Sequence, residues 1–333
     1  MSKPEMSQPL TTGLSRPQTA AATDPVALLL ADKRSPATKR AYRADLRDFF
    51  GGDPRDPLQA EVAAFLALPP QDVALRLAKY KASLLDRKLS EATVNRRLAA
   101  VRSLLKFSHR LGLSQTDGRG LVDGERAQAY RDTRGVDRKT IGRLLALPAQ
   151  IHGGATLRAL RDAALLRLLC ENALRRAEVC ALNVSDFSPT ELRLSVLGKG
   201  RGSQKAPVTL TPRCAQAVAA YLAAAGHAGD DGGALFRNVD RRYTKRSRDR
   251  QYLRLTIDGL YHLVRLYGRE IGIELAPHKL RHSAITALLD ATGGDVRTAQ
   301  RLSRHSDVRT LQRYDDNRED LQGKASQILS DLF

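Results

Sequence analysis

One stretch limits the fold more than any other. Residues 191–197 (ELRLSVL) and 205–211 (KAPVTLT) alternate apolar and polar side chains, and the glycine-rich segment 198–204 (GKGRGSQ) joins them. Successive side chains of a strand point to opposite faces, and glycine admits the backbone angles of a tight reversal, so this pattern predicts an antiparallel hairpin. The apolar patterns around it repeat with the 3.6-residue spacing of helices, predicted over 138–147, 156–171, 175–183 and 212–225. The expected fold class is mainly α with a small antiparallel β-sheet.

At 333 residues and 42% hydrophobic content, the chain has room for two domains with real cores. Residues 1–30 are rich in Ser, Thr, Pro, Gln and Ala and predict a disordered tail. Residues 31–115 read as a helical domain. Ser35-Pro36 opens a helix that turns Tyr42, Leu46, Phe49 and Phe50 inward and repeats Lys39, Arg43 and Arg47 at i, i+4 on another side. Ser90 caps a later helix with Val94, Leu98, Val101 and Leu105 inside and Arg96, Arg102, Lys106 and Arg110 in an outward arc. Residues 116–134, polar and glycine-bearing, read as a linker, and 135–333 as a second domain ending in a helix.

Lys and Arg number 55 against 36 Asp and Glu, a net charge of +19, which favours a polyanionic partner such as nucleic acid. A charged stripe is most often a solvated face, but two nearly pure basic stripes in one small domain point to a phosphate backbone. Residues 237–254 add Arg237, Arg241, Arg242, Lys245, Arg246, Arg248, Arg250 and Arg254 against two aspartates. Cys170, Cys180 and Cys214 lack metal-ligand spacing and sit among apolar residues, which predicts buried thiols in a reducing compartment. No apolar run is long enough to span a membrane, and the N-terminus lacks an apolar signal core, so a cytoplasmic, nucleoid-associated protein without a membrane partner is expected.

Residues 278–314 carry the chemistry. Ala276-Pro277 starts a helix that places His278, Arg281 and His282 on one side and Leu280, Ala284 and Leu288 on an apolar stripe. Gly293-Gly294 ends it, a short helix carries Val296, Ala299 and Leu302, and a turn at Arg304-His305 leads to a third helix ending near Tyr314. Arginine, imidazole and phenol together suit reactions at a phosphate. The His278/His282 pair has the spacing of a metal site, but Lys279 stands where that motif needs glutamate, so no metal is expected.

The segment LRRAE at 174–178, the glycine-flanked Lys199, HxxR at 278–281, and His305 nine residues before Tyr314 together resemble the tyrosine recombinase (phage-integrase-like) family. SPATKRAY at 35–42 and LSEATVNRRL at 89–98 are similar to that family's helical, SAM-like core-binding domain. The resemblance implies a mixed α/β catalytic domain behind it, in the compact two-domain layout of Xer-type members. It implies a catalytic set of Arg175, Lys199, His278, Arg281, His305 and Tyr314, with Glu178 as a supporting carboxylate. In that scheme Arg175 and Arg281 neutralise the phosphate, Lys199 protonates the leaving 5′ oxygen with Lys205 as runner-up, His278 assists Tyr314, and His305 donates to the phosphate. Arg176 reads as an ordinary surface arginine, and His282 as a structural one. The sequence departs from the family pattern at Asn172-Ala173, where a small residue and glycine are usual, and at Ser303-Arg304, where leucine-glycine is common. Arg304 is expected either to displace His305 or to add a phosphate contact.

The function so implied is site-specific DNA recombination through a 3′-phosphotyrosyl intermediate, without cofactor. The implied partners are double-stranded DNA bearing recombination sites and three further protomers, with or without a second recombinase, acting through a Holliday junction. Phosphate contacts are expected from Lys39, Arg43, Arg47, Arg96, Arg102, Lys106 and Arg110, and from Arg241, Arg242, Lys245, Arg246 and Arg248. The apolar C-terminal residues Ile328, Leu329, Leu332 and Phe333 are expected to pack on a neighbouring protomer. A type IB topoisomerase-like enzyme and a non-catalytic DNA-binding protein on the same fold are the alternatives.

Overall fold

The computed structural model describes residues 24–51, 59–126, 135–198, 203–239, 254–305, 307, 308, 311 and 321–333. The chain divides into two compact units, Met1–Gln128 and Ala129–Phe333. In the first, the described elements are α1 (Pro25–Asp32), α2 (Pro36–Phe50), α3 (Gln59–Leu66), α4 (Pro70–Asp86) and α5 (Glu91–Arg110). Leu46, Phe49 and Phe50 of α2 meet Phe65, Leu77, Tyr80, Val94, Leu98 and Val101 in one core. Phe49 lies edge-on to Phe50, Phe65 and Tyr80. Gly51, at φ 72°, ends α2 in the left-handed conformation that glycine adopts without strain.

Two boundaries differ from the sequence reading. The tail does not extend to residue 30, because α1 begins at Pro25. Asp24 accepts hydrogen bonds from the Val26 and Ala27 amides at 2.9 and 3.0 Å, a cap of about 1 kcal/mol. Leu29, 1% exposed, then enters the core. The described part of the expected linker is also packed on the first unit. Asn95 donates to the Glu125 carbonyl at 2.8 Å and accepts from its amide at 2.7 Å, while Arg102 donates to the Val122 carbonyl. Polar residues that look solvated in sequence are here satisfying backbone groups.

The second unit contains α6 (Arg138–His152), α7 (Leu157–Glu171), α8 (Arg176–Ala181) and a 3₁₀ turn (Val184–Asp186). Strands β1 (Phe187–Ser188), β2 (Arg193–Leu197) and β3 (Lys205–Thr209) follow, then α9 (Pro212–Ala225), α10 (Ile257–Glu270), α11 (Pro277–Ala291), α12 (Val296–Ser303) and α13 (Leu321–Leu332). The hairpin forms in the predicted place: β2 and β3 pair antiparallel with Val196 opposite Ala206, and β1 adds a third strand on the other side of β2. Leu194, Val196 and Val208 face the core, and Pro207, which has no N–H to donate, sits on an edge strand. Helix α6 runs past its predicted end through Pro148, to a left-handed cap at Gly153.

Helix α7 is the spine of this unit. It packs against α6, α9 and α11, and its buried residues run from Ala159 to Cys170. The buried Asp162 of α7 accepts from Arg161 at 2.7 Å and from the Tyr267 hydroxyl of α10 at 2.8 Å. A second, smaller apolar cluster of Ala173, Ala284, Ile285, Ala299 and Leu311 joins the end of α7 to α11 and α12. Among the described residues, no helix is long and apolar enough to cross a membrane.

Candidate active site

The site is built where α7 stops. Ala173 takes a left-handed conformation at φ 47°, and the chain reverses into α8 with Arg175 at its N-cap. The Arg175 amide donates to Glu178 Oε2 at 2.8 Å and its Nη1 donates to Oε1 at 2.8 Å. Glu178, 4% exposed, thus occupies the N3 position of a capping box and also orients a guanidinium. Burial alone would push its carboxyl up. The charge of Arg304 and the hydrogen bonds from Arg175 outweigh that and hold it below the usual glutamate value.

Helix α11 supplies the second wall. His278 is exposed in its first turn, whereas Arg281 is only 2% exposed and His282 is buried beside Thr286. The inward face is therefore wider than the apolar stripe predicted, and includes both. Arg281 Nη1 donates to the Ala173 carbonyl, and Nη2 donates to the Ser303 carbonyl and, at 3.2 Å, to His305 Nε2. A guanidinium has no acceptor, so Nε2 must accept and the imidazole is neutral with its proton on Nδ1. Burial first, then the charges of Arg281, Arg175, His278 and Arg304, push the His305 pKa down to about 4.

Helix α12 closes the arrangement. Asp295 caps its start, and its end at Ser303 is followed by Arg304 in the left-handed region at φ 56°. Arg304 neither points at a phosphate site nor lies exposed beside His305. Its Nη2 reaches Glu178 Oε2 at 2.8 Å and its Nη1 donates to the Leu302 and Asn172 carbonyls at 3.0 and 3.4 Å. Its guanidinium is thus engaged by protein groups rather than offered to a phosphate.

A cleft of about 460 Å³ opens over these groups, lined by Arg175, Arg176, Tyr261, Pro277, His278 and Arg281. Arg176 is exposed, as the sequence reading has it, and also lines this cleft. Its guanidinium lies 5.7 Å from the centroid of the Tyr261 ring, which Arg265 also approaches at 5.8 Å. The Arg176–Tyr261 contact was invisible in sequence because the two are 85 residues apart, whereas Arg265 stands at i+4 from Tyr261 on the same helix. Lys205, the runner-up acid, is instead engaged by the buried Asp186. Lys199 and Tyr314 lie outside the described residues, as do Arg241, Arg242, Lys245, Arg246 and Arg248. Of the same basic segment, Arg237 pairs with Asp230, and Arg254 donates to the Cys180 and Leu182 carbonyls at 3.1 and 2.8 Å. Arg254 thereby serves the fold, since carbonyls at the end of α8 need donors.

In the first unit, Arg43, Lys106 and Arg110 are exposed and Lys39 and Arg47 are half-buried. Arg96 is exposed as expected and also pairs with the buried Asp45, while Arg102 is half-buried and donates to the Val122 carbonyl. The three thiols are buried, and burial pushes each up to about 12.

Residues 136–320 match the phage integrase family, and residues 26–112 match the phage integrase N-terminal SAM-like domain. The chain belongs to the phage integrase family. Two curated relatives are close in sequence: a tyrosine recombinase of Synechococcus elongatus, 44% identical over 93% of this chain and 94% of its own, and a tyrosine recombinase of Synechocystis, 41% identical over 92% and 94%. The fold is also that of the XerH site-specific recombinase solved in a post-cleavage complex with its palindromic difH substrate, with a TM-score of 0.58, 20% identity, and coverage of 77% of this chain and 70% of that one. This integrase-family chain carries both family domains, helical first and mixed α/β second, in the order the motifs implied.

Proposed function

We propose that this protein cleaves and rejoins DNA at specific sites through a 3′-phosphotyrosyl intermediate formed by Tyr314. The observation that carries the reading is the convergence of Arg175, His278 and Arg281 on one cleft, with His305 hydrogen-bonded to Arg281. Two guanidiniums beside a scissile phosphate stabilise the charge that builds on its non-bridging oxygens. His278 at the mouth of the cleft takes or shares the Tyr314 proton, and Lys199 protonates the departing 5′ oxygen. The phosphotyrosyl bond keeps the energy of the broken phosphodiester, and a 5′ hydroxyl from a partner strand reverses the step. His305 accepts from Arg281 through Nε2 and its Nδ1 is buried, so in this arrangement it holds the Arg281 guanidinium in place rather than donating to the phosphate. Arg43, Lys106 and Arg110 supply phosphate-backbone contacts that are indifferent to sequence.

Recombination, with four protomers on two sites, follows if the 5′ hydroxyl comes from a second duplex. A nicked suicide duplex that loses its 5′ fragment after cleavage traps the covalent intermediate. Wild-type protein is expected to form the adduct, and Tyr314→Phe to form none. Absence of the wild-type adduct, or an undiminished adduct with Tyr314→Phe, defeats the reading.

A further inference from the structure

We propose that Arg304 is a positioning residue for the phosphate site: by sharing the Glu178 carboxylate with Arg175 and holding the Asn172 carbonyl, it braces the two turns from which Arg175 and Arg281 are aimed. The inference deepens the proposed function and rests on it for the identity of the bound phosphate. Three observations carry it. Arg304 is a non-glycine residue at φ 56°, a conformation that disfavours any side chain, yet its side chain is only 11% exposed and fully directed into the protein. It is therefore not a surface arginine that happens to end a helix.

Its contacts also cross the site rather than staying local. Glu178 lies on α8 and Asn172 at the end of α7, so one guanidinium links the exit of α12 to both sides of the reversal that carries Arg175. The carbonyls flanking these contacts, Ala173 and Ser303, are the ones that receive Arg281. Ala173 is itself left-handed at φ 47°, so both turns that hold Arg281 are conformationally unusual, and Arg304 is a second side chain, beside Arg281 itself, that ties them together. Finally, a single buried carboxylate bound by two guanidiniums stays ionised, and an ionised Glu178 anchors Nη1 of Arg175.

Arg304→Gly tests the brace, since glycine accepts the backbone angle and the fold is expected to survive. The variant is expected to keep wild-type affinity for an uncleaved duplex and to remain folded at the assay temperature, because glycine's relief of the left-handed backbone offsets part of the stability lost when Glu178 gives up one of its two cations. Its rate of adduct formation on the suicide duplex is expected to fall on the order of 10- to 100-fold. Millimolar guanidinium ion, compared with sodium at equal ionic strength, is expected to restore part of that rate by refilling the space next to Glu178. A wild-type rate in the variant overturns the proposal, as does a loss that follows duplex affinity or melting temperature and ignores guanidinium. If wild-type protein forms no adduct, the functional reading fails, and the brace is judged by nitrogen-15 NMR of the arginine side chains. Restricted rotation of the Arg175 guanidinium in wild type and its release in Arg304→Gly support the brace, and unchanged Arg175 dynamics refute it.

Discussion

The basic face of the first unit and the arginine cluster of the second use the same side chain in opposite ways. Arg43, Lys106 and Arg110 are exposed on α2 and α5, where a flexible cation can follow a phosphate wherever the duplex places it. Arg281 and Arg304 are buried and hydrogen-bonded to backbone carbonyls, and Arg175 is pinned by Glu178. Charge alone suffices for attraction along a backbone, whereas stabilising one reacting phosphate needs donors fixed before the substrate arrives. Rigidity is obtained here at the cost of desolvating a carboxylate and two guanidiniums, which only a complete set of partners offsets.

The sharpest way to break this contrast is Glu178→Ala. It leaves two guanidiniums facing a vacated buried site, and a loss of about 3–5 kcal/mol is expected in denaturant unfolding, against under about 1 kcal/mol for Arg43→Ala. Equal losses would show that the cluster is no more integrated than the surface stripe. Next in size is Arg281→Lys, which keeps charge but loses the planar fork that reaches both turns. Adduct formation is expected to drop about 100-fold with duplex affinity preserved.

Acid sensitivity should also separate the regions. The His305 pKa is lowered from the ordinary 6.5 to about 4, so between those values the unfolded chain binds a proton that the folded chain refuses. Stability therefore falls as pH drops through that window, and the lowered carboxyl of Glu178 adds a loss in the same direction as pH falls below the ordinary glutamate value of 4.5. His305→Asn is expected to flatten the upper part of the melting-temperature profile between those two pH values. The smallest effect is expected on the exposed face. Arg43→Ala should reduce the slope of log affinity against log salt by about 1, while Arg102→Ala, whose guanidinium serves the Val122 carbonyl, should leave that slope unchanged.

Where a pattern is local, sequence and structure agree: the alternation at 191–211 forms β2 and β3, and Thr211-Pro212 opens α9 with the Thr211 hydroxyl accepting from the Cys214 amide at 3.1 Å. The differences arise where partners are distant in the chain. Residues 25–30 look like tail until Leu29 finds α2 and α5, and 116–126 look like linker until Asn95 pairs with Glu125. Arg176 meets Tyr261, and Lys205 meets Asp186, only in the folded chain. None of those pairings leaves a periodic trace, because side-chain contacts across a core obey no fixed spacing.

The sequence by itself determined the mainly helical class, the hairpin, the family, and the residue types that meet at the candidate site, since periodicity, turn chemistry and ordered motifs are local properties. Only the tertiary structure decided what Arg304 does. A guanidinium flanking His305 has the same local appearance whether it points out to a phosphate or back to a carboxylate 126 residues away. The choice is made by a buried anion that needs a second cation, and that need exists only once the two turns have been brought together.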